Sequence, residues 1–320
     1  MEDSLALALS HATEVGAIAA SRSAGFGDKK GADHEAVEAI RTHLNTIEFN
    51  GRIVIGEGER DEAPMLYIGE KIGTGVGTAV DIAIDPLENT NATASFGPGA
   101  IAVLAASQKG GLFHAPDMYM DKLIVPEQAK DKVNINWEPQ KNLTILAKGL
   151  DRDISDLVIV ILDRQRNETL IDKVRKAGAR VQLIGDGDLI PGVACCMRGS
   201  GVHAVMGIGA APETVITAAA LKCLKGGLQA RFWPKNEAEK TRLKKMGGKL
   251  NKIYTQDDLA SGKTVIFCAT GVTDGSILKG VRFFGAGART QTLVTSTQSN
   301  KIRFIDTTHV LDHDAIKFRL

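Results

Sequence analysis

The sequence predicts an α/β fold. Apolar strand-like runs alternate with helical patterns across residues 156–224, as expected of parallel strands joined by crossover helices. Glycine is abundant, at 34 residues, and aromatics are scarce, at 5%, which suits tight strand-to-helix turns. Composition is that of a globular chain, 43% hydrophobic and 24% charged. A length of 320 residues is enough for one large core or two ordinary ones.

Residues 4–22 and 31–47 read as helices, the second with Val37, Ile40, Leu44 and Ile47 on one face. Arg52 to Gly56 reads as a short strand and Ala63 to Ile72 as a helix. In Ala79 to Asp85, Val80, Ile82 and Ile84 alternate with polar or small residues, the pattern of a strand. Strands follow at 100–107 and 111–114, with Gly110-Gly111 as the turn between them.

Asp156 to Asp163 is a continuous apolar run, expected of a strand covered on both faces. A helix at 168–177, a strand at 180–185, a helix at 188–197, a strand at 202–207 and a helix at 212–224 complete the alternation. From about 263 onward strands dominate again. The expected division is an N-terminal region, 1–140, and a C-terminal region, 141–320, whose last strands are able to rejoin the first sheet. The lysines of 235–252 are interleaved with Glu237 and Glu239 and read as a solvated helix face.

Several functions are disfavoured. A net charge of +1 with few aromatics speaks against nucleic acid as a partner. Residues 5–20 are broken by Ser10, His11 and Glu14, so they read as an amphipathic helix, with no membrane span or signal peptide. Four cysteines without C-x-x-C spacing read as free thiols of a cytoplasmic protein. Ser261-Gly262-Lys263-Thr264 lacks the first P-loop glycine, since residue 257 is Asp, and it precedes a strand where a P-loop follows one. Gly207-Ile208-Gly209 lacks the third glycine of a dinucleotide fingerprint, and no G-x-S-x-G elbow occurs. The seven histidines show no metal-ligand spacing and read as surface or packed residues.

The informative pattern is acidic residues at strand and helix ends. They are Asp33, then Glu57, Glu59, Asp61 and Glu62, then Asp85 and Glu88, and finally Glu213. Each alone reads as a helix cap or first-turn residue. Together they suit a shared crevice, because the ends of adjacent strands converge. Crowded carboxylates repel, and a divalent cation relieves the repulsion. An all-oxygen ligand set selects hard ions, Mg²⁺ or Mn²⁺, and a pair of such ions suits phosphoryl transfer to water. Arg164 and Arg166, just past a strand, offer forked contacts to phosphate, or else surface ion pairs. Asp186 and Asp188 are placed to accept hydrogen bonds from sugar hydroxyls.

The segments 54–71 (V-I-G-E-G-E-R-D-E-A-P-M-L-Y-I-G-E-K), 81–91 (D-I-A-I-D-P-L-E-N-T-N), 184–193 (I-G-D-G-D-L-I-P-G-V) and 207–215 (G-I-G-A-A-P-E-T-V) together resemble the class II fructose-1,6-bisphosphatases. That family lies within the lithium-sensitive, metal-dependent sugar and inositol phosphatases. The resemblance implies a layered α/β/α/β/α architecture with two sheets. It also implies hydrolysis of fructose 1,6-bisphosphate to fructose 6-phosphate and phosphate in gluconeogenesis. It places metal ligands at Asp33, Glu57, Asp85, Glu88 and Glu213, for two or more Mn²⁺ or Mg²⁺ ions, and a water-orienting threonine at Thr90. Substrate contacts fall on Glu88, Asn89, Thr90, Tyr119, Arg164, Gln165, Arg166, Asp186, Gly187, Asp188 and Ala210. Lys29 is expected to offset phosphate charge and Asp61 to help activate water. A homodimer or homotetramer is implied.

Three residues depart from the family pattern: Asn89, Ala210 and Thr214 stand where glycines are expected. Asn89 tolerates a left-handed backbone, yet its side chain would narrow the phosphate pocket. A Cβ at Ala210 would crowd the sugar. These changes bear on substrate choice, which leaves sedoheptulose 1,7-bisphosphate and inositol phosphates as alternative substrates and a non-catalytic sugar-phosphate sensor as an alternative role.

Overall fold

The structure is a computed structural model that describes residues 3–58, 64–285 and 287–310. Along the chain the helices are α1 (Asp3–Arg22), α2 (Lys29–Leu44), α3 (Thr90–Ser95), α4 (Pro139–Leu150), α5 (Glu168–Lys176), α6 (Leu189–Ala194), α7 (Ala211–Leu224), α8 (Glu237–Lys245) and α9 (Gln256–Leu259). The strands are β1 (Asn50–Ile55), β2 (Lys71–Ile72), β3 (Ala79–Glu88), β4 (Ile101–Gln108), β5 (Tyr119–Val125), β6 (Val158–Leu162), β7 (Arg180–Ile184), β8 (Ala204–Ala210), β9 (Gly227–Trp233), β10 (Tyr254–Thr255), β11 (Val265–Gly271), β12 (Arg282–Phe284), β13 (Gly287–Ser296) and β14 (Ile302–Val310). The class is α/β with two sheets, as the sequence predicts. No helix among the described residues is long and apolar enough to cross a membrane.

The chain divides into two units, one of residues 1–109 with 266–320 and one of residues 110–265. The breaks therefore fall near 110 and 265, whereas the sequence patterning suggested 140. In the first unit eight strands form one sheet, ordered β12-β13-β11-β4-β3-β1-β2, with β14 paired to β13. The C-terminal strands thus share a sheet with β3 and β4. Helices α1 and α2 cover one face, where Leu9, Ile40 and Leu44 pack with Ile53, Ile82 and Leu104. Burial of such side chains stabilises by about 1.5–3 kcal/mol each.

In the second unit six strands run β10-β9-β5-β8-β6-β7. β6 is parallel to β7 and β8, while β5 is antiparallel to β8 and β9. Leu143 and Leu146 of α4 and Ile171 and Val174 of α5 pack with Leu123, Ile159, Ile161 and Met206. Strand alternation sends Met120, Lys122 and Ile124 to the opposite face, where α6 and α7 lie.

Two local expectations fail. Residues 64–70 form turns, not a helix, before β2. Leu66 is left-handed at φ 51°, and this segment bonds back to β1: Ile53 N–H donates to Glu70 O at 2.9 Å and Gly69 N–H to Ile53 O at 2.8 Å. Backbone demand from a strand edge outweighs the helical pattern. Residues 111–114 form no strand; Phe113 N–H donates to Leu259 O at 2.8 Å instead.

Candidate active site

β1 and β3 are parallel neighbours, with Ile55 opposite Ala83. Glu57, just past β1, therefore comes level with Asp85 in β3. Gly56 is required here, because a Cβ at that position would meet Leu66 O at 2.1 Å. The same turn has Glu57 N–H donating to Leu66 O at 3.1 Å.

Asp85 and Glu88 are three residues apart and would face opposite ways in a regular strand. A bulge corrects this. Asp85 pairs with Val103 and Glu88 with Ile101, so Pro86 and Leu87 stand opposite the single residue Ala102. Both carboxylates then point to one side, with oxygens within 4.8 Å of one another. Leu87 N–H donates to Asp85 Oδ1 at 3.1 Å and fixes its orientation.

Asp33 comes from the first turns of α2. Asp28 caps that helix, accepting from Gly31 N–H at 2.9 Å. The loop before it docks on α3, where Gly25 N–H donates to Thr93 O at 2.9 Å and Gly27 N–H to Ala94 O at 3.0 Å. Lys29 is the exposed first residue of α2, and Thr90 is the first residue of α3.

Electrostatics show that these acids share one space. Burial, reinforced by the Asp85 charge, raises Asp33 to about 6. Burial, then Asp33, then Asp85, raises Glu57 to about 8. Such a group could hold a metal ion, and its all-oxygen donors fit a hard divalent cation. Asp61, with Glu59 and Glu62, lies outside the described residues.

Asn89 adopts the left-handed conformation, φ 68° and ψ 56°, and its Oδ1 accepts from Ala92 N–H at 3.2 Å. The residue that stands for a glycine thus keeps the glycine-type turn and adds a helix cap. Ala210 sits at φ −72° and ψ 148°, ordinary extended backbone that needs no glycine. Thr214 is buried within α7 and donates to Ala210 O at 2.6 Å. Glu213 occupies the first turn of α7 in the second unit.

The other predicted residues of the second unit fall into two groups. Tyr119 opens β5, opposite Ala210 of β8 and Trp233 of β9. The Arg166 guanidinium lies 4.2 Å from the centre of its ring, as does the Lys235 ammonium. Arg166 Nε also donates to Ile208 O at 3.1 Å. Asn167 anchors the loop behind it, donating to Leu162 O at 3.0 Å and accepting from Ile208 N–H at 2.8 Å. Arg166, Arg231, Trp137 and Trp233 line a cavity of about 500 Å³. Arg164 donates to Asp163 O at 3.0 Å, and Gln165 is exposed.

The second group is the loop of Asp186, Gly187 and Asp188. Asp186 is exposed and accepts from Gly187 N–H at 3.1 Å. Asp188 is buried, and Lys122 Nζ lies 2.7 Å from its Oδ2. Sequence patterning missed Lys122, Asn167, Trp233 and Lys235. Lys235 was grouped with a solvated helix face, but it precedes α8 and stands over Tyr119.

The family described as bacterial fructose-1,6-bisphosphatase, glpX-encoded, matches residues 3–309. The chain belongs to this family. Its members are phosphoric monoester hydrolases, and the match runs through both units. A Synechococcus sp. (strain JA-2-3B'a(2-13)) protein named D-fructose 1,6-bisphosphatase class 2/sedoheptulose 1,7-bisphosphatase is 50% identical over 337 aligned positions, covering 98% of this chain and 97% of the relative. A Thermosynechococcus vestitus protein of the same name is 49% identical over the whole of both chains. One from Crocosphaera subtropica is 48% identical, covering 97% of each. The carboxylate group of Asp33, Glu57, Asp85 and Glu88 therefore sits in a bisphosphatase of the class the sequence resembles.

Proposed function

We propose that the chain hydrolyses the 1-phosphate of fructose 1,6-bisphosphate, releasing fructose 6-phosphate and phosphate as a gluconeogenic step in the cytoplasm. The observation that carries the reading is the crowding of Asp33 and Glu57 beside Asp85: burial and the neighbouring carboxylates raise Asp33 to about 6 and Glu57 to about 8, which marks a place built for positive charge. The shared name of the relatives supports sedoheptulose 1,7-bisphosphate as a second substrate.

Asp33, Glu57, Asp85 and Glu88 would hold Mg²⁺ or Mn²⁺; the same role for Glu213 rests on the sequence match alone. Bound ions of this kind supply charge that acidifies water and stabilises a leaving oxygen. Thr90, fixed at the start of α3 by the Asn89 cap, orients the attacking water. Lys29 offsets phosphate charge, and Asp61 helps activate the water. Arg164 and Arg166 bind the distal phosphate with Tyr119 and Gln165, and Asp186 and Gly187 bind sugar hydroxyls. Glu88, Asn89, Thr90 and Ala210 are the remaining residues that the family resemblance assigns to substrate binding. Asp188 acts through Lys122 to set the 186–188 loop. A homodimer or homotetramer is the assembly we expect.

Phosphate release from fructose 1,6-bisphosphate, sedoheptulose 1,7-bisphosphate and an inositol phosphate, with each metal, tests the reading. Turnover of either sugar bisphosphate that disappears in Asp85→Asn supports it. Tight sugar-phosphate binding without release from any substrate would overturn it in favour of a sensor.

A further inference from the structure

A second group of metal-ligating side chains lies elsewhere in the first unit. His11 and Glu14 are three residues apart on α1 and share one face. His309 comes from β14. One ligand atom from each lies within 4.8 Å of the others. The His11 ring stacks 6.1 Å from that of His309, and the His43 ring meets it edge-on at 4.4 Å.

The Glu14 carboxylate is buried, 4% exposed. Its Oε1 accepts from Thr307 at 2.8 Å and Thr292 at 3.2 Å. Its Oε2 faces His309 Nε2 across 3.7 Å, too far for a hydrogen bond. Among the described residues no lysine or arginine lies within ion-pair distance of Glu14. A buried carboxylate without a compensating cation is costly. Thr290 Oγ1, 2.9 Å from His309 Nε2, holds the ring in place. His309 Nε2 faces Glu14, so an ion bound through it would replace the Thr290 contact.

Tetrahedral zinc with bonds of 2.0–2.1 Å places its ligand atoms ~3.3–3.4 Å apart. The ligand atoms, at most 4.8 Å apart, need a closing of up to about 1.4 Å by that measure, and His11 is exposed and able to move. Two imidazoles with one carboxylate select a borderline transition ion over Mg²⁺.

We propose that His11, Glu14 and His309 form a separate site for Zn²⁺ or a similar transition-metal ion, tying α1 to the edge strand β14. Water completes the coordination, and His43 orients the His11 ring. The role is structural, and the site does not depend on the substrate assigned above.

The test is Zn²⁺ titration of the metal-stripped full-length chain in excess Mg²⁺, read by competition with a chromophoric chelator and by Co²⁺ absorption. One Zn²⁺ per chain is expected, with an intense four-coordinate Co²⁺ spectrum. The exposed-residue variant His11→Ala should weaken Zn²⁺ at least tenfold and remove the Zn²⁺-dependent rise in Tm; Asp85→Asn should change neither. Zn²⁺ binding that persists in His11→Ala, or is lost in Asp85→Asn, would overturn the proposal, as would no Zn²⁺ uptake in excess Mg²⁺.

Discussion

The ammonium of Lys122 lies 2.7 Å from a carboxylate oxygen of Asp188, and both side chains are buried. The pair joins β5 to the start of α6. It lies against Gly209, where a Cβ would come within 2.3 Å of Asp188 Oδ2. Removing one partner leaves the other charge buried and alone, a loss of about 3–5 kcal/mol. Asp188→Ala should therefore lower the denaturation midpoint strongly. Gly209→Ala should do likewise by displacing the pair. An unchanged midpoint in both would mean the pair does not hold the loop.

The acids of the first unit give a pH dependence with a defined sign. Folding raises Glu57 from 4.5 to about 8 and Asp33 from 3.8 to about 6. Between the unfolded and folded values the native state holds more protons than the unfolded chain, so metal-free stability falls as pH rises. Glu57 contributes that fall from about pH 4.5 to 8, and Asp33 from about pH 4 to 6. Metal binding must release those protons and should tighten from pH 6 toward 8. Calorimetry in buffers of different ionisation enthalpy measures the release. Glu57→Gln should flatten the stability slope; a slope equal to that of the unmodified protein would show that Glu57 is not its source.

Asn89 combines a left-handed backbone with a helix cap. Asn89→Ala loses both, at roughly 1–2 kcal/mol for the backbone and about 1 kcal/mol for the cap. Asn89→Gly keeps the turn and should cost only a few tenths of a kcal/mol by comparison. Urea denaturation of the two variants separates the contributions. If the glycine variant also turns over faster, the asparagine side chain obstructs the phosphate.

Strand patterning puts Glu57 and Asp85 at or near strand ends, but that their strands are neighbours comes from the pairing of β1 with β3. The bulge at Pro86 that turns Glu88 to the same side leaves no periodic signal. The left-handed turn at Leu66 was hidden beneath an apolar spacing that resembles a helix. β5 was missed because Asp121 and Lys122 interrupt its apolar pattern. Their charges pair with residues distant in sequence, Arg231 at 2.8 Å and Asp188 at 2.7 Å. Tyr119 was singled out by family resemblance, but its strand partners Trp233 and Ala210 could not follow from it. The histidines show the same limit, since His11 and His309 meet only through the pairing of β14 with β13.

Tyr119 and Arg166 form the last testable unit. A guanidinium over an aromatic face gains about 0.5–2 kcal/mol, and here the contact also aims the fork of Arg166. Arg166→Ala should raise KM for a sugar bisphosphate about 10–100-fold, the loss of a charge-assisted phosphate contact of about 1.5–3 kcal/mol. Tyr119→Phe keeps the ring and should leave most of the affinity in place. Tyr119→Leu removes the platform for both Arg166 and Lys235 and should raise KM by a factor between the two. In the double variant Tyr119→Leu with Arg166→Ala, the losses should be less than additive, because the ring acts partly through the arginine. Strict additivity of the KM effects would show that Tyr119 contacts substrate independently of Arg166.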